Sequence, residues 1–235
     1  MGSVKKRLAV WLGDNFTLEL YRAFLSDTLL AARESGGTVL LAHTPGPSFP
    51  EQEFADISFE QRGLLFGDRF DRALADAAKI LPADTPLVLI GADTPHLSPQ
   101  SMRHSLDALR DVRAVIGPSF NGGFYLLGFS MPPIPIAEAF AQPASREVPE
   151  VVRLLRKAGV VPKLLESWFD IDQLEDLARL KSFLSLLECA ESEWIPRCTR
   201  AVLANLGEVE SIKHQKKGER NLESRIELKP AFLFD

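Results

Sequence analysis

A three-layer α/β fold, with helices on both sides of a mostly parallel sheet, is what this sequence predicts. Three observations carry the expectation. Short apolar runs alternate along the chain with stretches of helical periodicity, an order that favours a parallel sheet with right-handed crossovers. The run Leu87 to Ile90 lacks amphipathic alternation, as a strand covered on both faces would. That run then ends in Gly91-Ala92-Asp93-Thr94-Pro95, which puts a carboxylate at the carboxyl end of a strand, where open α/β sheets bind ligands.

The elements follow in order. Gly13-Asp14-Asn15 is a helix start, and Leu18, Tyr21, Leu25 and Leu29 give a helical stripe to about Glu34, where Gly36-Gly37 stop it. Thr38 to Ala42 reads as a strand, and a loop rich in Pro and Gly runs from His43 to about Gln52. Phe70, Ala73, Leu74, Ala77 and Leu81 mark a second amphipathic helix ending at Pro82. After the Leu87 strand, Ser98-Pro99 supplies a capping hydroxyl followed by proline at the first helical position. Met102, Leu106 and Leu109 form that helix's apolar stripe. Ala114 to Gly117 and Phe124 to Phe129 read as strands, Val148 to Lys157 as a helix, and Val160 to Leu165 as a last strand. Leu174, Leu177, Leu180, Leu184 and Leu187 predict a helix, and Thr199 to Leu206 a short one closed by Gly207.

The 235 residues suit one domain, 1–207, followed by a charged tail or arm, 208–235. From Glu208 onward, six basic and six acidic residues leave little to bury. The apolar end Ala231 to Phe234 is suited to dock on the body or on a second copy, which makes a homodimer one expected outcome. A net charge of −5 gives no reason to expect nucleic acid or anionic membrane as a partner. Residues 114–137 carry no charged side chain, yet their glycines and prolines would break a spanning helix. Two cysteines make no disulfide framework, and Leu8 to Leu12 is too short for a signal peptide, so a cytoplasmic protein is expected.

Four features have the chemistry of a site. Asp93 is the first; it faces a cation or cleft, or simply caps the turn before Pro95. Lys5-Lys6-Arg7-Leu8 offers cations for phosphate oxygens, with Arg7 capable of a bidentate contact, or is a solvated end of the chain. The loop Gly117 to Gly123 has paired glycines, Gly122 and Gly123, that admit close backbone approach, and Asn121, which both donates and accepts; it also reads as a plain hairpin turn. In Asp170-Ile171-Asp172 the alternation puts both carboxylates on one face, although Asp172 equally suits a helix cap. Carboxylates gathered from distant strands make a site for Mg²⁺ or Mn²⁺ that leaves positions for substrate phosphates. There is no G-x-x-x-x-G-K-[ST], G-x-G-x-x-G or G-x-S-x-G motif, which argues against P-loop, dinucleotide and α/β-hydrolase readings. The four histidines lack zinc spacing, and His96 reads as a loop residue rather than a base.

With these pieces in order, the chain resembles a bacterial and archaeal family of uncharacterised transferases, the DUF2064 type, with a GT-A (nucleotide-diphospho-sugar transferase) fold. Some members are described as radical-SAM-associated or arsenosugar-pathway glycosyltransferases. The likeness rests on Val4-Lys5-Lys6-Arg7-Leu8, Gln61-Arg62-Gly63 with Gly67-Asp68-Arg69, Ile90 to Pro95, Gly117 to Gly128 and Asp170 to Leu177. Molybdenum-cofactor and phospholactate guanylyltransferases share the fold family. The resemblance implies that Asp93 and Asp172 hold the metal on a nucleotide's phosphates. Asp93 and Asp170 are the expected catalytic residues, Asp170 as a second ligand or a base, and Lys5, Arg7, Gln61, Arg62, Gly63, Asn121, Gly122 and Gly123 are expected to bind substrate. It departs at two points. The family's first strand precedes the V-K-x-R-L pattern, where this sequence has only Met1-Gly2-Ser3, and the acid of the family's D-G-G is Asn121. Both lead one to expect weakened or lost activity. The expected function is a metal-dependent glycosyltransferase that takes a nucleotide-activated donor to an unidentified acceptor. The alternatives are nucleotidyl transfer to a phosphorylated small molecule and a catalytically weakened or inactive member that serves as a nucleotide-binding or scaffold protein.

Overall fold

A computed structural model describes residues 5–44, 54–64, 66–130, 132–141 and 147–206. The expected loop after His43, the helix-closing Gly207, the charged tail and the residues preceding Lys5 fall largely or wholly outside those segments. Seven α-helices are described, α1 (Lys6–Leu12), α2 (Asp14–Glu34), α3 (Phe66–Ile80), α4 (Pro99–Ala108), α5 (Glu147–Lys157), α6 (Leu174–Cys189) and α7 (Arg197–Ala204). The strands are β1 (Leu40–His43), β2 (Ile57–Glu60), β3 (Leu87–Ile90), β4 (Ala114–Pro118), β5 (Phe124–Phe129) and β6 (Lys163–Leu164).

The main sheet has the order β3-β5-β4-β6. β5 is antiparallel to both β3 and β4, and β6 is parallel to β4, so three strands point one way and β5 alone is reversed. The reason is chain length. Only residues 119–123 join β4 to β5, and a parallel crossover needs about a dozen residues or more. Successive side chains of the sheet feed two cores. Leu87, Ala114, Ile116, Leu127 and Phe129 pack with Leu74 and Ala77 of α3 and Val151, Leu154 and Leu155 of α5. Val115, Tyr125 and Leu126 pack on the other face with Ala31 of α2 and Met102 of α4. This is the three-layer α/β arrangement, with helices on both faces. A third core, where Leu8, Leu20, Phe24, Leu177, Leu180 and Leu203 meet, joins α1, α2, α6 and α7 beside the sheet.

Three details depart from the expected elements. The strand expected at Thr38 to Ala42 is shifted to β1 and stands outside the main sheet, paired in parallel with β2. β2 itself alternates half-buried Ile57 and Phe59 with exposed Ser58 and Glu60, a period-two signal that could have been read. α1 was not expected; a single apolar stripe, Leu8 and Leu12, is its whole buried face. Elsewhere the local chemistry acts as anticipated, and Ser98 caps α4 by accepting from the Ser101 N–H at 3.1 Å.

The hairpin is packed too closely for side chains at two glycines. A Cβ on Gly117 would run into the Tyr125 ring, which is held by its hydroxyl donating to the Glu166 carbonyl at 3.0 Å. A Cβ on Gly128 would lie 2.7 Å from Val115 Cγ2 and 2.9 Å from Leu109 Cδ1. Overpacking of this kind costs about 1–3 kcal/mol. Gly117→Ala is therefore expected to lower the thermal midpoint by several degrees in a calorimetric scan. A midpoint equal to the parent's would show that the ring moves aside freely.

Candidate functional site

Three carboxylates meet at one rim of the sheet. Asp93 follows β3 directly, while Asp170 and Asp172 come from the segment between β6 and α6. One ligand oxygen from each lies within 4.8 Å of the others. The backbone sets this up. Beyond β6 the chain keeps to the side of β4: Leu165 N–H donates to the Ile116 carbonyl at 2.8 Å, Trp168 N–H to Pro118 at 3.0 Å, and Phe120 N–H to Trp168 at 3.0 Å. The chain then crosses the hairpin tip, and Ile171 N–H donates to the Asp93 carbonyl at 3.0 Å. Ile171 is fully buried among α1, α2, α6 and α7, so the alternation turns its two neighbours to the rim.

The cap reading of Asp172 is decided by the start of α6. The N-cap of α6 is Gln173, which forms a capping box with Asp176, so Asp172 does not cap the helix. Asp172 Oδ1 instead accepts from Lys5 Nζ at 2.6 Å, and Asp93 Oδ2 accepts from the same nitrogen at 3.2 Å. Gly91 has its own part here. A Cβ there would sit 2.5 Å from Asp93 Oδ1, so the glycine leaves the carboxylate its place. Burial works to lower the Lys5 pKa, but the charges of Asp93 and Asp172 outweigh it and the net shift is upward. The ammonium is therefore firmly protonated at neutral pH.

Asp170 has a different partner. The Asn121 amide nitrogen donates to both of its oxygens, at 2.8 and 2.9 Å, while Asn121 Oδ1 accepts from Gly123 N–H at 3.0 Å. That network fixes which end of the amide is nitrogen. Burial raises the Asp170 pKa most, the Asn121 hydrogen bond pulls it back, and Asp93 and Asp172 push it up again. The hairpin-turn and ligand-loop readings of residues 117–123 are thus compatible, since the loop closes β4–β5 and also contacts an acid of the cluster. Asn121, expected to strip a charge from this loop, provides Asp170 with a donor.

The remaining expected residues are placed elsewhere or less tightly. Arg7 is exposed on α1. Gln61 is buried, and its amide donates to the Arg69 carbonyl at 3.0 Å, joining the end of β2 to α3. Arg62 is exposed and pairs with Glu60, and Gly63 takes a left-handed φ of 66°. Among the described residues no hydrogen bond or ion pair links Gln61, Arg62 or Gly63 to the three acids.

Comparison with known proteins agrees with this architecture. Residues 28–143 match DUF2064. That family is described as an uncharacterized protein conserved in bacteria. A crystal structure described as a "putative nucleotide-diphospho-sugar transferase" from Desulfovibrio desulfuricans G20 is 25% identical, with a TM-score of 0.72 over 89% of this chain and 92% of that one. Rv0371c from Mycobacterium tuberculosis H37Rv is 21% identical, with a TM-score of 0.45 over 67% of this chain and 83% of its own. Its manganese complex is 20% identical, with a TM-score of 0.43 over 67% and 85% of the two chains. No curated protein matches. The chain therefore has a nucleotide-diphospho-sugar transferase-like fold, and no described helix is long and apolar enough to cross a membrane.

Two residues of the rim were missed in the sequence. Tyr21 of α2 has its pKa raised by burial and then by the charge of Asp93, with Lys5 opposing. Glu147, at the start of α5, has its pKa raised by burial and then by Asp170. Tyr21 was read only as part of a helical stripe, and Glu147 sits one residue before the helix expected at Val148. Neither had a local signal, because each is brought in by tertiary packing.

His96 is not a base in waiting. It is 2% exposed, and neither ring nitrogen has a hydrogen-bond partner among the described residues. It lies among Phe169, Phe183 and Trp168 at centroid distances of 4.1, 5.4 and 5.5 Å. Burial lowers its pKa to about 3. The unfolded chain takes up this proton near pH 6.5, so stability is complete above that pH and is lost as pH falls toward 3. The loss is up to about 1.4 kcal/mol per unit. Urea unfolding at pH 5 and pH 7.5 is expected to show a smaller pH difference for His96→Phe than for the parent. Equal differences would place the acid sensitivity elsewhere.

Proposed function

We propose that this protein is a metal-dependent transferase that moves a sugar from a nucleotide-sugar donor to a hydroxyl-bearing acceptor. The observation that carries the reading is the convergence of Asp93, Asp170 and Asp172 at the rim of the sheet. Three carboxylates are a donor set for a hard divalent ion such as Mg²⁺ or Mn²⁺, and the Lys5 ammonium already lies among them. The fold shared with the Desulfovibrio protein over most of both chains supports a nucleotide-activated donor.

In this reading Asp93 and Asp172 hold the ion. When bound, it offsets charge on the diphosphate leaving group. Lys5 and Arg7 give cations to the phosphate oxygens, and Gly122 and Gly123 allow the sugar close to the backbone. The acceptor hydroxyl attacks the anomeric carbon, the bond from that carbon to the phosphate oxygen breaks, and the nucleoside diphosphate departs. Asp170, raised in pKa and oriented by Asn121, takes the acceptor proton.

The test is product analysis with Mn²⁺ and a panel of nucleotide sugars and nucleoside triphosphates. Nucleoside diphosphate release is expected, falling about 100-fold or more in Asp93→Asn and Asp172→Asn. Pyrophosphate release from triphosphates would replace this reading with nucleotidyl transfer. Absence of turnover together with absence of nucleotide binding by calorimetry would favour the scaffold.

A further inference from the structure

Lys5 is unusual in several ways at once. It precedes α1 with φ 46° and ψ 52°, a left-handed conformation that costs a non-glycine residue about 1 kcal/mol or more. Its side chain is only 11% exposed, although Lys6 and Arg7 beside it lie on the surface. Its ammonium reaches two acids that lie 88 and 167 positions away along the chain. The Lys5 carbonyl accepts from the Leu8 and Ala9 N–H groups at 2.9 and 3.0 Å, and the double ion pair anchors the buried side chain.

Asp93 and Asp172 are also the acids that the proposed function assigns to the divalent ion. An ammonium 2.6 and 3.2 Å from their oxygens stands where the ion's charge belongs. An ion bound by oxygens at about 2.0–2.6 Å would lie within a few ångströms of that nitrogen, and two cations so close repel strongly. Asp170 stands outside the conflict, because the Lys5 ammonium bonds Asp93 and Asp172 whereas Asp170 accepts from the neutral Asn121 amide.

We propose that Lys5 is a tethered cation that competes with the divalent ion for Asp93 and Asp172, closing the pair in the metal-free chain and leaving it when the ion binds. The inference rests on the metal-site reading above and adds an exchange to it. Displacement frees the ammonium beside the site, where donor phosphates need a counter-charge, and it removes the contact that anchors the Lys5 side chain. Lys5 is thus a positioning residue for the acids before it is a phosphate ligand.

The experiment is a Mn²⁺ titration of the full chain, with free Mn²⁺ followed by its electron paramagnetic resonance signal. Lys5→Met is expected to bind Mn²⁺ about tenfold more tightly than the parent, as removal of a competing cation requires. Equal or weaker binding by the variant overturns the exchange while leaving the metal site intact. Binding by neither protein overturns both the exchange and the site. A second measurement uses the parent chain alone, so that folding of the variant does not decide the matter. The rate of Lys5 acylation by an amine-reactive reagent, read by peptide mass spectrometry, should rise several-fold when Mn²⁺ is added. An unchanged rate in the presence of bound Mn²⁺ sinks the proposal.

Discussion

The burial of Ile171 is the constraint on which the rest of the site depends. Three carboxylates at one rim repel one another, and nothing in their own chemistry draws them together. Ile171 enters the helical core with no exposed surface, and burying such a side chain is worth about 1.5–3 kcal/mol. Its N–H also closes onto the Asp93 carbonyl. Apolar packing and one backbone hydrogen bond therefore enforce an arrangement that electrostatics alone would resist. Lys5 and Asn121 reduce the residual repulsion from opposite sides.

That division gives the rim two unlike ends. At one, the ammonium of Lys5 offsets part of the charge of Asp93 and Asp172, and Tyr21 feels the charges of both Asp93 and Lys5. At the other, Asp170 faces the amide of Asn121 and the charge of Glu147, and both acids are shifted upward by burial. The Lys5 end sets one ammonium against two carboxylates and stays net negative, while the Asp170 end carries acids weakened by burial. In that sense the asparagine is more than a lost charge. A carboxylate at position 121 would put a third negative group against Asp170 and Glu147, whereas the amide supplies Asp170 with two donor contacts.

The sequence made much of this legible where a rule is local. Ser98-Pro99 announced its helix, the leucines of α6 announced theirs, and the Asp170-Ile171-Asp172 alternation correctly placed both acids on one side. The pairing of strands was harder. β5 reads as apolar in either direction, and only the short connection from β4 shows that it must be reversed. α1 and β2 have few buried residues, so their patterns were faint. Contacts made across the fold left no trace in spacing. Lys5 was singled out for phosphate and not as a partner of the two acids, while Tyr21 looked like a core position and Glu147 like a residue ahead of a helix. Their roles come from packing that brings distant segments together.

The anchoring of Lys5 also has a mechanical side. Its ammonium ties the start of α1 to two acids that lie 88 and 167 positions away, so one side chain links three distant stretches of chain. A change of charge at either acid is therefore passed to that helix through a single flexible stem.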